Sequence, residues 1–397
     1  MTELIDNCLM KAITRRSFVS SSAMTTLALR SGLADSQSLP TGKLLLVGTQ
    51  TAGTSKGIYA YSFEPVTGKL TKVGLAVATP SPTFLVTAPD RKTIFAANEV
   101  ENYGGQKSGA VSSFSLDASK GTLTQVSQVS SKGGSPCHVA VDHSGSSVFA
   151  ANYTGGSAVS YRVTGHDHLS EPVSFFQYTG HGPDADRQEA PHAHRVTVAP
   201  NNRFLLVNDL GLDLIHIYTL DAASGNLAPN ETPSWTAPAG SGPRALLFHP
   251  NGKYAYCVTE MACQVIVLKW DGEAGSLETK QVLPLPLQPQ PGPVTGCDIV
   301  LSKDGRFAYV ANRGDDFIAT LAVSADGSRL TFQRRSSCGG KVPRHIALDP
   351  TERFLLVANQ GSDNIAVFPR DPNSGQLSEM GKSYPLSKPQ CLVFPLG

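Results

Sequence analysis

The sequence predicts an all-β fold, a seven-bladed β-propeller with four antiparallel strands per blade and the first blade closed by the C-terminal strand. Three observations carry this. One phrase recurs seven times, about every 50 residues, which marks a repeat architecture. Each copy sets two short alternating apolar runs around an Asp-Pro, Asn-Gly, Asp-Gly or Ser-Gly turn, a hairpin signal. The first copy lacks its opening run, and that run stands alone at the far end as PQCLVF from Pro389.

Taken in order, the chain begins with a segment outside the repeat. TRRSFV at 14–19 leads into a mildly apolar, acid-free stretch from Phe18 to Leu29 and small residues at 32–34. This resembles a twin-arginine export signal cleaved after Ala34; the plainer alternative is an untidy N-terminus that happens to hold two arginines. Residues 1–34 are therefore expected to be a cleaved signal and 35–397 a single propeller domain, exported already folded to the periplasm or beyond. The first blade opens at its second strand, KLLLVGT. Full copies follow from Pro82 (PTFLVTAPDRKTIFAANEV), Pro136 (PCHVAVDHSGSSVFAANY), Pro191 (PHAHRVTVAPNNRFLLVNDLG), Pro243 (PRALLFHPNGKYAYCVTE), Val294 (VTGCDIVLSKDGRFAYVANRG) and Pro343 (PRHIALDPTERFLLVANQG). Third runs such as IYAYSF at 58–63 and NIAVF at 364–368 end in TGKL, SGNL, AGSL, DGSRL or SGQL turns that lead to a weaker fourth run. The C-terminal run completes the first blade, so no open sheet edge separates the two ends of the ring.

Composition sets limits. The 37 glycines and 27 prolines among 397 residues suit a chain of many tight turns. Charged residues make up 16% and the formal net charge is +1, with no basic stripe, so nucleic acid is not an expected partner. No apolar run reaches the roughly 18 residues of a membrane span, so no membrane insertion is expected once the signal is removed, and the propeller is expected to be a monomer. Cys8 lies in the signal; Cys137, Cys257, Cys263, Cys297, Cys338 and Cys391 mostly fall inside strand patterns and read as small buried hydrophobes, although their even number permits disulfides.

Blade geometry locates the chemistry. In an antiparallel blade the start of the first strand lies beside the end of the second, so both line one mouth of the central channel. Around the ring these places hold Asn98 and Glu99, Asn152 and Tyr153, His192, His194 and Asp209, Arg244 and Glu260, Asp298 and Arg313, then Arg344, His345 and Gln360. The Asn recurring after the second strand, at 98, 152, 208, 312 and 359, reads more simply as a turn residue. His192 and His194 are spaced to share one strand face, but no third ligand stands at a matching spacing; neither a metal nor another cofactor is expected.

At RQEAPHAH (187–194) and NDLGLD (208–213) the chain resembles the seven-bladed lactonase family. That family includes the propeller type of 6-phosphogluconolactonase and is similar to the fungal carboxymuconate lactonizing enzymes. The resemblance continues through ANYTGGS (151–157), GPR (242–244), Glu260, ANRG (311–314) and PRHIALDP (343–350), covering the chain beyond the signal. It implies a catalytic cluster of His192 or His194, Arg244, Glu260 and Arg313. Arg187, Gln188, Asn152, Asp209, Asp298, Arg344, His345 and Gln360 are then expected to contact substrate. The sequence departs from the family pattern at Ala245, where a His is usual, at Asp298, where a Glu is usual, and at RGDDF (313–317) in place of RGHDS. These changes bear on the substrate more than on the reaction.

Opening a lactone requires a base for the attacking water, here a His or Glu, and stabilisation of the oxyanion, which permanently charged arginines can supply. The expected partner is therefore a small lactone or carboxylate, with 6-phosphogluconolactone as the family's nominal substrate and an unphosphorylated lactone favoured by the export signal. A cycloisomerase acting on a muconate-type dicarboxylate would use the same charges, and a non-catalytic exported binding propeller would need only the blade phrase. Replacing Arg15 and Arg16 by Lys should hold the protein in the cytoplasm at its unprocessed length; fractionation showing unchanged periplasmic recovery would remove the export reading.

Overall fold

A computed structural model of the chain describes residues 42–397. The expected export signal at 1–34, with Arg15, Arg16 and Cys8, lies outside the described residues. The described residues form the seven-bladed propeller, each blade an antiparallel sheet whose strands follow chain order outward from the channel. The innermost strands are Pro82–Thr87, Pro136–Val141, Ala193–Val198, Pro243–Phe248, Thr295–Leu301, Pro343–Leu348 and Pro389–Val393. Each touches the next, and Pro389–Val393 touches both Pro343–Leu348 and Pro82–Thr87, so the ring closes through the C-terminal strand. That strand pairs with Lys43–Thr49, placing Val47 opposite Leu392.

Second strands such as Phe354–Asn359 are buried along their whole length because both faces pack on neighbouring blades, which is why they read as unbroken apolar runs. Outer strands such as Lys69–Ala78 have one wet face and alternate. Seven buried clusters, most of them shared between adjacent blades, form the core. In several blades the glycine of the turn before the fourth strand is a docking point. At Gly375 (φ 71°) a Cβ would overlap the ring of Phe307 from the preceding blade, and at Gly68 (φ 67°) it would lie 2.6 Å from Phe354, which is how the last blade grips the first.

The pairing of first with second strands carries a register shift at the same place in every blade, at the residue after the opening position. A bulge of this kind spends one residue without advancing the partner, so two successive side chains share a side. The two faces of the ring also differ. First-to-second-strand turns are short, as at 88–92 and 199–203, whereas the other face carries the long segments 99–109, 178–192 and 285–294. The strand starts, and with them the candidate residues, open on the long-loop face.

Removing residues 389–397 should strip the inner strand from the first blade, exposing an edge and losing buried Cys391 and Leu392. At about 1.5–3 kcal/mol for a large buried side chain, plus the lost strand pairing, the truncated chain should melt far below the parent or fail to fold. Gly375→Ala, strained at positive φ and clashing with Phe307, should lower the melting temperature more than Gly381→Ala, whose added Cβ would make only ordinary contacts with Pro369 and Val367 at 3.4–3.6 Å.

Candidate active site

Glu260 follows the second strand of the fifth blade, Tyr254–Thr259, and is held by backbone on both sides: its N–H donates to Gly242 O at 2.7 Å, and its carbonyl accepts Gly296 N–H at 2.8 Å. This fixes the carboxylate at the channel wall, only 4% exposed. Three arginines converge on it from separate parts of the ring. Arg187, on the long loop before the fourth blade, donates Nη2 to Oε1 at 2.5 Å. Arg244, at the bulge of the fifth blade's inner strand, brings Nε to 2.7 Å from Oε2, and Arg313 brings Nη2 to 2.8 Å of the same oxygen. The Arg244 Nε–H is not well aimed at the oxygen, so that contact is chiefly charge on charge. Three guanidinium groups thus share one carboxylate, a surplus of two positive charges.

Burial alone would raise the pKa of Glu260, but Arg313, Arg244 and Arg187 bring it down to about 2. It is consequently a poor base at neutral pH, and its role in the geometry is to align the arginines. Beside it, Tyr153 stacks on His192 with centroids 4.5 Å apart and meets His194 edge-on at 5.8 Å. The two histidines bracket Tyr153, although His192 precedes the strand and His194 occupies its bulge. His192 is engaged at both nitrogens: Nδ1–H donates to Tyr153 O at 3.2 Å, and Nε2 lies 3.3 Å from Glu189. His194 faces the channel, and its pKa is held well below the usual value by burial and then by Arg244, Arg344 and Arg313, so the ring is neutral at pH 7. Arg344 donates Nε to Gln390 at 3.0 Å and lies 3.9 Å from Glu99, which accepts the Thr83 hydroxyl at 2.5 Å.

The strand-end reading located these residues but treated too many as facing one open mouth. Glu260 and His194 are buried in the channel wall rather than exposed at a solvent-facing rim. Asn152 is fully buried and donates to Ser131 O and Ser157; Asn98 and Asn359 likewise bond Pro80 O and Cys338 O, so at these three positions the Asn ties down the linker entering its blade. Asp209 is spent on the backbone N–H groups of His192, Gly211 and Leu212. Gln188 donates to Leu210 O inside its loop, and Gln360 bonds Gln50 at the junction of the last and first blades. Asp298 and His345 sit deeper, at the waist of the channel, where Arg195 lies 3.1 Å from Asp298. His138 and Arg195, absent from the expected set, line the same waist. Their signal was available: both occupy the residue after the bulge, the position equivalent to Asp298 and His345 in the aligned copies.

The described residues contain no group of three His, Cys, Asp or Glu side chains placed to hold a metal ion. All six described cysteines are buried and unpaired. What the site offers is a neutral buried imidazole next to surplus fixed positive charge, suited to moving a proton while stabilising a developing anion.

The family model described as lactonase, 7-bladed beta-propeller, matches residues 44–394. A 6-phosphogluconolactonase of Bacillus subtilis is 34% identical over 348 residues, spanning 88% of this chain and 97% of that protein. A 6-phosphogluconolactonase of Formosa agariphila is 29% identical, spanning 82% of this chain and 91% of that protein. The structure of a periplasmic gluconolactonase from Pseudomonas aeruginosa superposes with a TM-score of 0.83 at 35% identity, covering 89% of this chain and 98% of that one.

Glu260→Gln leaves three buried or half-buried arginines without their shared anion and should destabilise the fold by about 3–5 kcal/mol, read as a fall in melting temperature. His138, His194 and His345 all have pKa values depressed by burial. The unfolded chain therefore binds more protons below its histidine pKa of about 6.5, and stability should decline as pH falls from 7 toward 5. The Glu260 contribution behaves similarly but lower, present above the ordinary carboxylate range and lost as pH falls through about 2. A melting temperature flat between pH 7 and 5 would contradict the buried neutral histidines.

Proposed function

The chain belongs to the seven-bladed β-propeller lactonase family, and from that premise we propose that it hydrolyses a sugar-acid lactone, with His194 as the base and Arg244 and Arg313 as the anion-stabilising pair. The observation that carries this reading is the placement of three arginines on one carboxylate beside a neutral imidazole. Water attacks the lactone carbonyl as His194 takes its proton. The carbonyl oxygen becomes anionic against the guanidinium surplus. Collapse breaks the ring C–O bond, and the imidazolium returns the proton to the leaving alkoxide, giving the open hydroxy acid. Surplus charge that meets an uncharged lactone is used mainly when the oxyanion and then the product carboxylate form, which favours the transition state over the ground state. The site therefore needs no phosphate on its substrate.

Glu260 acts in this reading as the anchor that holds the three arginines together, and Arg187 ties the long loop 178–192 to it. Residues 1–34 are proposed as a cleaved export signal and 35–397 as the mature periplasmic enzyme. The Pseudomonas aeruginosa protein, described as a periplasmic gluconolactonase, supports that location and an unphosphorylated sugar lactone as substrate.

A panel of aldonolactones, with and without a terminal phosphate, assayed on the mature protein tests this directly. An unphosphorylated lactone should be hydrolysed with kcat/KM at least equal to that of its phosphorylated counterpart. His194→Ala should lower kcat by roughly 10²–10⁴. Arg313→Ala should cost about 1.5–3 kcal/mol, roughly 10- to 100-fold in kcat/KM, with Arg313→Lys recovering only part because it lacks the planar fork. If these variants hydrolyse the best lactone at parental rates, the reaction takes place elsewhere.

A further inference from the structure

The channel does not run open from face to face. Between its mouths it narrows to a cavity of about 20 Å³ lined by residues of all seven inner strands. That exceeds the roughly 10–15 Å³ one water requires and is far too small for a sugar lactone. The lining has two levels. His194, Arg244 and Arg344 connect it to the candidate active site. His138, Arg195, Asp298 and His345 connect it to the short-turn face: His138 and Arg195 also border a cavity of about 430 Å³ there, and Arg195, Asp298 and His345 border one of about 510 Å³.

His138 is the unexplained member. It is 6% exposed, tilted against Phe84 with ring centroids 4.0 Å apart, and neither ring nitrogen has a hydrogen-bond partner among the described residues. Leaving a buried donor and a buried acceptor unsatisfied is unfavourable for each, so the arrangement calls for a partner in the waist. Arg195, His345, Arg244 and His194 are among the charged or titratable groups around it, and the first three reinforce burial in keeping the ring neutral. A neutral imidazole donates from one nitrogen and accepts at the other. The neighbouring His345 is already oriented: its Nδ1 accepts Leu392 N–H at 3.3 Å, so its proton sits on Nε2, 3.8 Å from Asp298 Oδ2.

We propose that the waist is a water site, and that this water together with His138 forms a proton path from the reaction centre to the opposite mouth that excludes substrate. The water site needs no assumption about activity; the proton path rests on the lactone-hydrolysis reading. Ring opening consumes one water and yields a hydroxy acid that ionises at neutral pH, so each turnover must release one proton while the anionic product still fills the substrate mouth. That proton passes to His194 and then to the waist water, which gives one of its own to the accepting nitrogen of His138. The ring of His138 then turns that nitrogen toward the cavity it borders on the short-turn face, releases the proton to solvent there and turns back, so its tautomer is unchanged. No bond other than N–H and O–H is made or broken.

Two measurements test the proposal. A crystal structure of the mature protein at a resolution that shows waters should place one within hydrogen-bond distance of His138; a dry waist overturns the site whatever the activity. In kinetics, His138→Phe keeps the ring contact with Phe84 but cannot relay, and His138→Gln can hold the water but relays poorly. Both should lose about tenfold in kcat in dilute buffer, well short of the roughly 10²–10⁴ supplied by a group acting directly on substrate, with KM unchanged. Raising the imidazole buffer concentration should restore the rate. Parental kcat in both variants, or a loss that buffer does not relieve, overturns the path. A parent protein that hydrolyses no lactone would end the hydrolase reading and the path with it, while the water site still stands or falls on the crystal structure.

Discussion

The structure depends on one repeated constraint, the bulge near the start of every inner strand. A regular strand would send alternate side chains to opposite faces and give each blade one channel-facing residue at this height. With the bulge, pairs such as His194 with Arg195 and Arg344 with His345 reach the same space. The ring can then carry two stacked tiers of functional groups, one toward the long loops and one toward the short turns.

The tiers differ in charge, and the difference follows from their partners. In the upper tier Glu260 is shared by Arg187, Arg244 and Arg313, leaving positive charge in excess. In the lower tier Arg195 is matched by Asp298, and burial lowers the pKa of both histidines, against the pull of Asp298 at His345 and reinforced by neighbouring positive charge at His138. Anions are therefore favoured at one level and small neutral species at the other. A buried Glu with three arginines is costly to assemble, since every charge must leave water. The cost is offset by the rigid frame: closure by Pro389–Val393 and the grip of Phe354 on the Gly68 turn hold the seven blades as one body.

Placement of the site on the long-loop face has a similar origin. Both faces offer the ends of inner strands, but the tight first-to-second-strand turns leave nothing to reach over the channel. The segment 178–192 does reach, and Arg187 crosses to Glu260 of the fifth blade. Enclosure of the substrate mouth is thus a property of one insertion, whereas the waist belongs to the ring.

The sequence by itself determined the repeat, the strand order, closure by the C-terminal run, and the residues His192, His194, Arg244, Glu260 and Arg313 at strand ends, because each is set by local pattern and by its position within a copy. Only the tertiary structure decided which of the strand-end residues were free to act. Asn152 and Asp209 stand at sequence positions equivalent to those of the clustered charged residues but are consumed by backbone donors and acceptors that come from distant residues or tight turns. Glu260 read as a possible base until three arginines, brought together by the ring, lowered its pKa to about 2. His138 and Arg195 went unread because simple alternation assigns them to the other side of the strand. The bulge that turns them inward is a relation between two strands, and hydrogen-bond register between strands is not written in either one alone.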